Sequence, residues 1–350
     1  MQKKHSIIAW FAFFLTFTGH TLCGQNPLAR KMSNASSDST TTTFCKPGVS
    51  NASPGKGLEI QRGISGEFRI APEGRLSDGA NTSEVEHIST FKAKFKIPLI
   101  NSPKTKALLG YEYTTETYHF EEIGKLQPEI FYSLDDNPLR SNKYSFYITQ
   151  ALNHKYYLGL RLRTAFNGDY DRMMSGDSRY LNLSGTAVLG VKPHDDKEWG
   201  IGLTYNNGFF RTLVLPFFIY NETFNDKWGI ETVLPVSVMA RYNMKENSML
   251  LFGAELQTQS YALDVFSNST IANEAAQPYY FRHAEVAVQV ALEQHIHSWF
   301  WVSAQAGYHI PTGYRFQEAN GAETRYQMTA GAQPFAKISL FLSPPKSLCE

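Results

Sequence analysis

The chain has 350 residues, with 33 basic and 32 acidic side chains and a formal net charge of +1. This balance argues against nucleic acid as a partner, because nucleic-acid-binding domains carry a strongly basic surface. Aromatic residues make up 14% of the chain, although the mean hydropathy is negative. Beyond the N-terminus no stretch approaches the roughly 18 uninterrupted apolar residues of a helical membrane span. The composition thus excludes a helical membrane protein.

The N-terminus has the order of a secretory signal peptide. Lys3 and Lys4 precede an apolar run over residues 7–17, and small and polar residues follow. This run is shorter than the roughly 20 residues that a helical span needs, so we predict a cleaved signal peptide over residues 1–24. Cys23 raises the alternative of a lipid anchor, but His20 and Leu22 stand where a lipidation sequence has Leu and a small residue.

Residues 25–56 are rich in Ser, Thr, Asn and Gly, including an unbroken Ser and Thr run at 39–43. Such a composition buries too little apolar area to offset the entropy of ordering the chain. We therefore predict a disordered periplasmic leader over residues 25–56.

From Gly57 onward, apolar and polar residues alternate with a period of two, as they do in strands whose faces meet different surroundings. Two clear cases are Phe91, Ala93, Phe95 and Ile97 against Lys92, Lys94 and Lys96, and Leu158, Leu160 and Leu162 against Arg161 and Arg163. Roughly thirteen such segments occur, most near the 9–11 residues of a tilted membrane-spanning strand. This pattern predicts an all-β fold, a transmembrane antiparallel up-and-down β-barrel over residues 57–343, with a C-terminal tail at 344–350.

The connections between these segments constrain the strand number. Long links follow the first, third and fifth segments, which places the N-terminus in the periplasm, but the parity of the long links flips late in the chain. One segment between residues 199 and 260 is therefore miscounted. Removing one gives about 12 strands, which we prefer within a range of 10–14, and splitting one gives about 14.

Aromatic doublets lie near several strand ends, at Tyr156 and Tyr157, Phe209 and Phe210, Phe217 and Phe218, and Tyr279 and Tyr280. Amphipathic rings prefer the level of the lipid head groups. These doublets predict aromatic girdles, and packed rings in a soluble core are the alternative.

Three stretches resemble an uncharacterised outer-membrane β-barrel family (a domain of unknown function) of Gram-negative bacteria. They are YLNLSGTAVLGV from Tyr180, WGIGLTYNNGFFRTLVLPFFIY from Trp199 and DKWGIETVLPVSVMARY from Asp226. The resemblance implies a barrel in the bacterial outer membrane, in contact with outer-membrane lipid and delivered by periplasmic chaperones and the barrel-assembly machinery. It supplies no catalytic residue. The tail after Phe341 departs from the terminal aromatic with which outer-membrane strands often end.

The polar faces of the predicted strands would line the lumen. The lumen-facing set is Lys92, Lys94, Lys96, Glu112, Glu116, Arg161, Arg163, Glu231, Glu255, Gln257, Gln289, Glu293 and Gln305. Mixed charges at this density suggest cross-strand ion pairs in a narrow, partly wet interior. A channel for small solutes is the alternative, because twelve strands fall between filled barrels and open pores.

Cys45 and Cys349 are the cysteines that remain after cleavage of the signal peptide. Barrel closure brings both tails to the periplasmic side, where an oxidising environment allows a disulfide between them, and two free thiols are the alternative. His283, His295, His297 and His309 fit no compact ligand spacing, so we interpret them as solvated loop residues and predict no metal and no cofactor.

Two further classes of protein stay open. His87 and Ser89 share the face of Phe91, and some outer-membrane lipid hydrolases direct such a pair toward the membrane. Catalysis also requires an orienting group and an oxyanion site, so we expect no enzymatic activity. A secreted soluble β-protein is the third alternative.

Overall fold

The computed structural model describes residues 62–77, 82–102, 104–123, 128–173, 175–194, 196–245, 247–265, 277–297, 300–319, 325–328 and 330–342. The predicted signal peptide, leader and C-terminal tail lie outside these residues. Cys45 and Cys349 lie outside them as well, so their disulfide stays a prediction.

The described residues form one fifteen-stranded sheet and one α-helix. The strands are β1 (Arg62–Ser77), β2 (Thr82–Asn101), β3 (Thr105–Glu122), β4 (Leu139–Ala151), β5 (Tyr156–Gly168), β6 (Leu181–His194), β7 (Lys197–Asn207), β8 (Thr212–Thr223), β9 (Trp228–Leu234), β10 (Ser237–Lys245), β11 (Ser248–Val265), β12 (Gln277–His297), β13 (Phe300–Glu318), β14 (Arg325–Met328) and β15 (Gln333–Leu342). Helix α1 is Pro128–Asp136. In the described part of the chain, no helix is long and apolar enough to cross a membrane.

The sheet closes into a ring. Each strand pairs with its neighbour in sequence, and β1 pairs with β15 from Arg62 opposite Leu342 to Arg69 opposite Phe335. Strands β14 and β15 pair with successive parts of the same edge of β13 and so act as one interrupted strand. The described residues therefore supply fourteen positions around the ring. This confirms the predicted transmembrane up-and-down barrel, at the upper end of the range of 10–14 and above the preferred twelve.

Alternation along β5 shows the two faces of the wall. Leu158, Leu160 and Leu162 point outward and are 41%, 39% and 57% exposed, whereas Tyr157 points inward and is fully buried. Comparable exposed apolar side chains recur on strands around the ring. A belt of this kind suits hydrocarbon and would be unfavourable in water.

The two ends of the barrel differ in their connections. Tight turns at residues 102–104, 152–155, 195–196, 224–227 and 246–247 join strands at one end, here called the turn end. Longer connections in the sequence join the strand ends at the other end, here called the loop end, between β3 and β4, β5 and β6, and β11 and β12. The long connections between these strand pairs therefore lie on one side of the barrel.

The aromatic doublets divide between the two faces of the wall. Tyr156 is 45% exposed on the outer face, whereas the Tyr157 hydroxyl donates a 2.5 Å hydrogen bond to Glu198 in the interior. Adjacent residues of a strand point to opposite faces. The prediction that both residues of the Tyr156–Tyr157 doublet belong to a girdle was therefore wrong.

We expect Gly190→Ala to destabilise the barrel by about 1–3 kcal/mol, the usual cost of overpacking. A Cβ at Gly190 would lie 2.0 Å from the Tyr157 ring and would push the hydroxyl away from Glu198. Gly185→Ala on the same strand is the control, since its nearest contact would be an ordinary 3.6 Å. Urea unfolding in detergent measures both variants, and equal stability of the two would refute this packing.

Candidate functional site

The interior of the barrel contains a polar cavity of about 500 Å³. Many of the predicted lumen residues line it, namely Lys92, Lys94, Glu112, Arg161, Arg163, Glu255, Gln257, Gln289, Glu293 and Gln305. They meet because strands all around the ring contribute inward-facing positions. We call this space the basic cavity.

The remaining predicted lumen residues lie elsewhere. Lys96 is buried, with its Nζ 4.9 Å from the centre of the Tyr147 ring. Glu231 accepts a 3.2 Å hydrogen bond from the buried guanidinium of Arg241. Glu116 belongs to a separate buried cluster near the loop end, described below.

One part of the basic cavity is internally neutralised. The Glu112 carboxylate lies 2.9 Å from Lys94 Nζ and 3.1 Å from Lys143 Nζ. Lys143 was not among the predicted lumen residues. Its signal was present in the sequence, since Lys143, Ser145 and Tyr147 are the inward set of β4.

Two arginines of β5 lack such partners. Nε and Nη2 of Arg161 and Nε of Arg163 are buried without a hydrogen-bond partner, and neither arginine forms an ion pair among the described residues. The Arg161 guanidinium instead lies 5.2 Å from the centre of the Tyr147 ring. Buried donor groups of a cation without a partner are costly, so these two side chains favour a negatively charged group beside them.

The overall charge of the basic cavity also favours a negatively charged group. Its basic side chains are Lys92, Lys94, Lys143, Arg161, Arg163 and Lys337, and its acidic side chains are Glu112, Glu255 and Glu293. The basic side chains outnumber the acidic ones two to one. A cavity of one dominant sign with low-dielectric walls concentrates ions of the opposite sign.

A second polar cavity of about 280 Å³ extends toward the loop end, and we call it the upper cavity. It is lined by amides and hydroxyls of β5, β6 and β7, such as Asn182, Ser184 and Asn206, and it shares Arg161 and Arg163 with the basic cavity. The two arginines therefore face both spaces.

A buried network of acids and histidines occupies the other side of the interior. His283 Nε2 lies 3.4 Å from Glu116 Oε2, and His283 Nδ1 lies 3.5 Å from Glu285 Oε1. His309 Nδ1 lies 3.1 Å from the second oxygen of Glu285. Both histidines are almost fully buried, so the interpretation of His283 and His309 as solvated loop residues was wrong.

Tyrosines complete this network. The hydroxyls of Tyr118 and Tyr261 donate to Glu116 at 2.5 and 3.3 Å, and Tyr314 donates to Glu285 at 2.6 Å. Within the described ranges, no group of three or more His, Cys, Asp or Glu is placed to hold a metal ion. The network therefore pairs buried polar groups with one another, which is the condition for keeping them inside a barrel.

Helix α1 closes the loop end above this network. Its inward side chains Ile130, Phe131 and Leu134 recur at the spacing of one helical face and are buried. The Phe131 ring lies 5.5 Å from Phe120 and 6.1 Å from Phe316. The helix thus sits on an aromatic cluster that fills this side of the barrel.

The segment between β5 and β6 is tied to the inside of the barrel near β11. A parallel bridge joins Gly168 to Ala262, and a Cβ at Gly168 would lie 2.7 Å from the Ala262 carbonyl oxygen. Asp169 accepts a 2.8 Å hydrogen bond from the Asp264 N–H. Burial raises the pKa of the Asp169 carboxyl to about 6, against the opposing effect of that hydrogen bond.

The docked state of this segment is expected to be more stable at pH 5 than at pH 7.5. Because the pKa of Asp169 is raised by folding, its contribution is full below the unfolded value of about 4 and is lost as pH rises through about 6, by up to about 1.4 kcal/mol per pH unit. Asp169→Asn should keep the acceptor and remove the pH dependence. The protection factor of the Asp264 amide, which is its hydrogen-exchange rate corrected for the intrinsic pH dependence of exchange, measures the effect, with Asp171→Asn as control. A protection factor that still depends on pH in Asp169→Asn would contradict this prediction.

His87 and Ser89 lie on the outer face of β2, as their parity predicts. The His87 ring stacks 4.4 Å from the His119 ring, and His119 Nδ1 lies 3.9 Å from Asp135 Oδ1. The Ser89 hydroxyl makes no hydrogen bond to any described residue. The serine therefore lacks the base contact that activates a nucleophile.

Comparison with known proteins identifies the family. The sequence profile of a domain of unknown function, DUF6268, matches residues 137–343, which is more than half of the chain. The chain belongs to the DUF6268 family. The DUF6268 match spans ten consecutive strand positions of the ring, from β4 to β13, together with β14 and β15, and includes Arg161 and Arg163. No curated protein matches the chain.

The chain is also similar, at low identity, to several solved structures. The toluene transporter TodX of P. putida is 8% identical, with a TM-score of 0.40 over 84% of this chain and 93% of that one. The β domain of the Bordetella autotransporter BrkA is 10% identical, with a TM-score of 0.24 over 81% and 100%. The outer membrane protease OmpT of Escherichia coli is 10% identical, with a TM-score of 0.23 over 81% and 94%.

Proposed function

We propose that this protein is an outer-membrane barrel that admits small anions to the basic cavity and conducts them in preference to cations, without enzymatic activity. The observation that carries the proposal is the unpaired state of Arg161 and Arg163 in a cavity of about 500 Å³. Arg241, by contrast, is paired with the carboxylate of Glu231. Arginines without such partners are suited to a passing anion.

The outer-membrane location is supported by the lipid-facing belt, by the long connections gathered at one end and by the predicted signal peptide. Bacterial barrels of this class have short turns on the periplasmic side and longer loops outside. In this orientation the turn end faces the periplasm and α1 faces the exterior.

The test is the reversal potential of the refolded protein in a planar bilayer under a tenfold KCl gradient. We expect the potential to have the sign of chloride permeation. A potential of the opposite sign would contradict anion preference, and a bilayer without channel events would contradict conduction.

A ligand-binding barrel that does not conduct is the second candidate function. It is favoured by one specific observation, the aromatic cluster and the acid and histidine network that fill the interior beneath α1. Titration with an anionic dye would separate the two candidates, because this second function predicts saturable binding of the dye without channel events.

A further inference from the structure

The wall of the barrel is incomplete where β9 and β10 stand. These strands have 7 and 9 residues, whereas β11 and β12 beside them have 18 and 21. The last β8 residue to pair with β9 is Phe218, and the last β11 residue to pair with β10 is Glu255. Residues 212–217 of β8 and 257–261 of β11 therefore have no strand partner on the side of the hairpin in the described structure, and the next residue of β11, Ala262, bridges to Gly168 of β5.

The loop end of this gap is bridged by aromatic side chains. Phe209, in the turn between β7 and β8, stacks on Tyr280 of β12 with ring centres 4.9 Å apart, and Phe210 lies 6.1 Å from the same ring. The gap is thus a bounded opening. The β9–β10 turn lies below it, the free edges of β8 and β11 lie at its sides, and the aromatic contact and the bridge between Gly168 and Ala262 lie above it.

The polarity of the side chains along the two free edges changes at the opening. Strand β11 alternates as far as Leu256, but Gln257, Thr258, Gln259 and Ser260 are all polar. Thr258 and Ser260 line the upper cavity, although they share a strand face with the lipid-facing Phe252. Both faces of β11 therefore meet a polar space here.

The β8 edge shows the opposite change. Residues 213–219 are apolar without interruption, so the inward face of β8 is apolar beside the opening. Phe217 and Ile219 pack inward against Tyr157 and Val188. One edge of the opening is thus suited to a polar group and the other to an alkyl chain.

Two cavities of opposite character meet at the β9–β10 turn. The basic cavity reaches Val236. An apolar hollow of about 820 Å³ on the outer face reaches Leu234 and Pro235, and side chains such as Ile201, Leu203 and Phe218 line it. Consecutive residues of one turn therefore separate a lipid-facing hollow from the space that contains Arg161 and Arg163.

We propose that this opening is a side entrance through which a single-chain amphiphile with an anionic head group passes between the membrane and the basic cavity. The inference rests on the proposed function, since it uses the same cavity and names its substrate class. The alkyl chain lies in the outer hollow and along β8, and the head group reaches Arg161 and Arg163 over the β9–β10 turn. Charge-assisted hydrogen bonds to the two guanidinium groups select a carboxylate over a neutral head group.

The test is photolabelling in phosphatidylcholine nanodiscs with palmitate that carries a diazirine at the end of its chain. We expect labelled peptides to come from β8 and β9 and labelling to fall with added unlabelled palmitate. A hexadecanol probe with the same diazirine should label these strands roughly tenfold less, as expected for the loss of about 1.4 kcal/mol of head-group binding. Replacing Arg161 and Arg163 with glutamine should lower palmitate labelling to the level of the alcohol.

A second variant tests the entrance itself. Val236→Trp places a bulky ring at the turn and should reduce labelling several-fold, while Ile97→Trp, a lipid-facing control on β2, should leave it unchanged. Even labelling around the lipid-facing belt, or labelling unaffected by the arginine and Val236 variants, would overturn the side entrance. Reversal potentials measured on the same preparations distinguish the two proposals. Anion preference together with even labelling would overturn the side entrance alone. Specific labelling without conductance would overturn the pore alone.

Discussion

Replacing Arg161 and Arg163 together with glutamine is expected to abolish anion preference in bilayer recordings. A unit charge about 4 Å from a permeating ion contributes about 4 kcal/mol at an effective dielectric constant of 20. Neither guanidinium group forms an ion pair with a carboxylate of the described residues, so their loss should lower the chloride-to-potassium permeability ratio by at least roughly tenfold. The reversal potential in a KCl gradient gives this ratio directly.

The matched control removes the same charge from outside the cavity. Lys155, in a turn-end connection, and Arg172, in a loop-end segment, are both exposed. A Lys155→Gln and Arg172→Gln variant should keep the wild-type ratio, because exposed charges are screened by salt within about 10 Å at 0.1 M. An equal loss of selectivity in both double variants would show that the two cavity arginines have no special role.

Phe131→Ala is expected to loosen α1 and to raise the conductance several-fold. Phe131 is 2% exposed and packs between Phe120 and Phe316, and truncating a buried phenylalanine costs about 3–5 kcal/mol. The lost packing energy comes from the contact that holds α1 over the loop end. The helix should therefore undock more often, and the interior should be open to ions for a larger fraction of the time. Single-channel recordings measure the conductance, and limited proteolysis of the 123–138 segment measures the undocking.

Tyr132→Ala on the same helix is the control, because Tyr132 is 49% exposed and points away from the cluster. It should leave both readouts near the wild-type values. If Phe131→Ala releases the helix to protease but leaves the conductance unchanged, α1 does not obstruct the path of the ions.

The barrel itself could be predicted from the sequence because apolar residues that face lipid alternate with polar residues that face the lumen along each spanning strand. Alternation on β2 and β5 predicted which side chains face lipid and which face the lumen. The hairpin of β9 and β10 was not predicted, because its turn, Leu234 to Ser237, falls within a stretch of nearly continuous apolar residues. The region 228–242 therefore resembled one strand, although splitting it was the correct choice.

The candidate site was only partly predictable. Alternation places Arg161 and Arg163 in the lumen, but their lack of a counter-charge depends on which strands face β5 across the interior. The pairing of Glu116 with His283 joins β3 to β12, which are far apart in sequence. Such contacts depend on the closure of the ring and on the register of the strands, and no local sequence pattern predicts them.

The most direct test of the two-faced wall is the accessibility of spin labels placed one at a time at residues 158–163 in a variant without native cysteines, reconstituted in a bilayer. Labels at 158, 160 and 162 should collide preferentially with oxygen dissolved in the hydrocarbon, and labels at 161 and 163 with a water-soluble nickel complex. Equal exposure of both sets to the nickel complex would show that β5 does not separate lipid from a polar interior, and the barrel assignment and the proposed anion path would both be wrong.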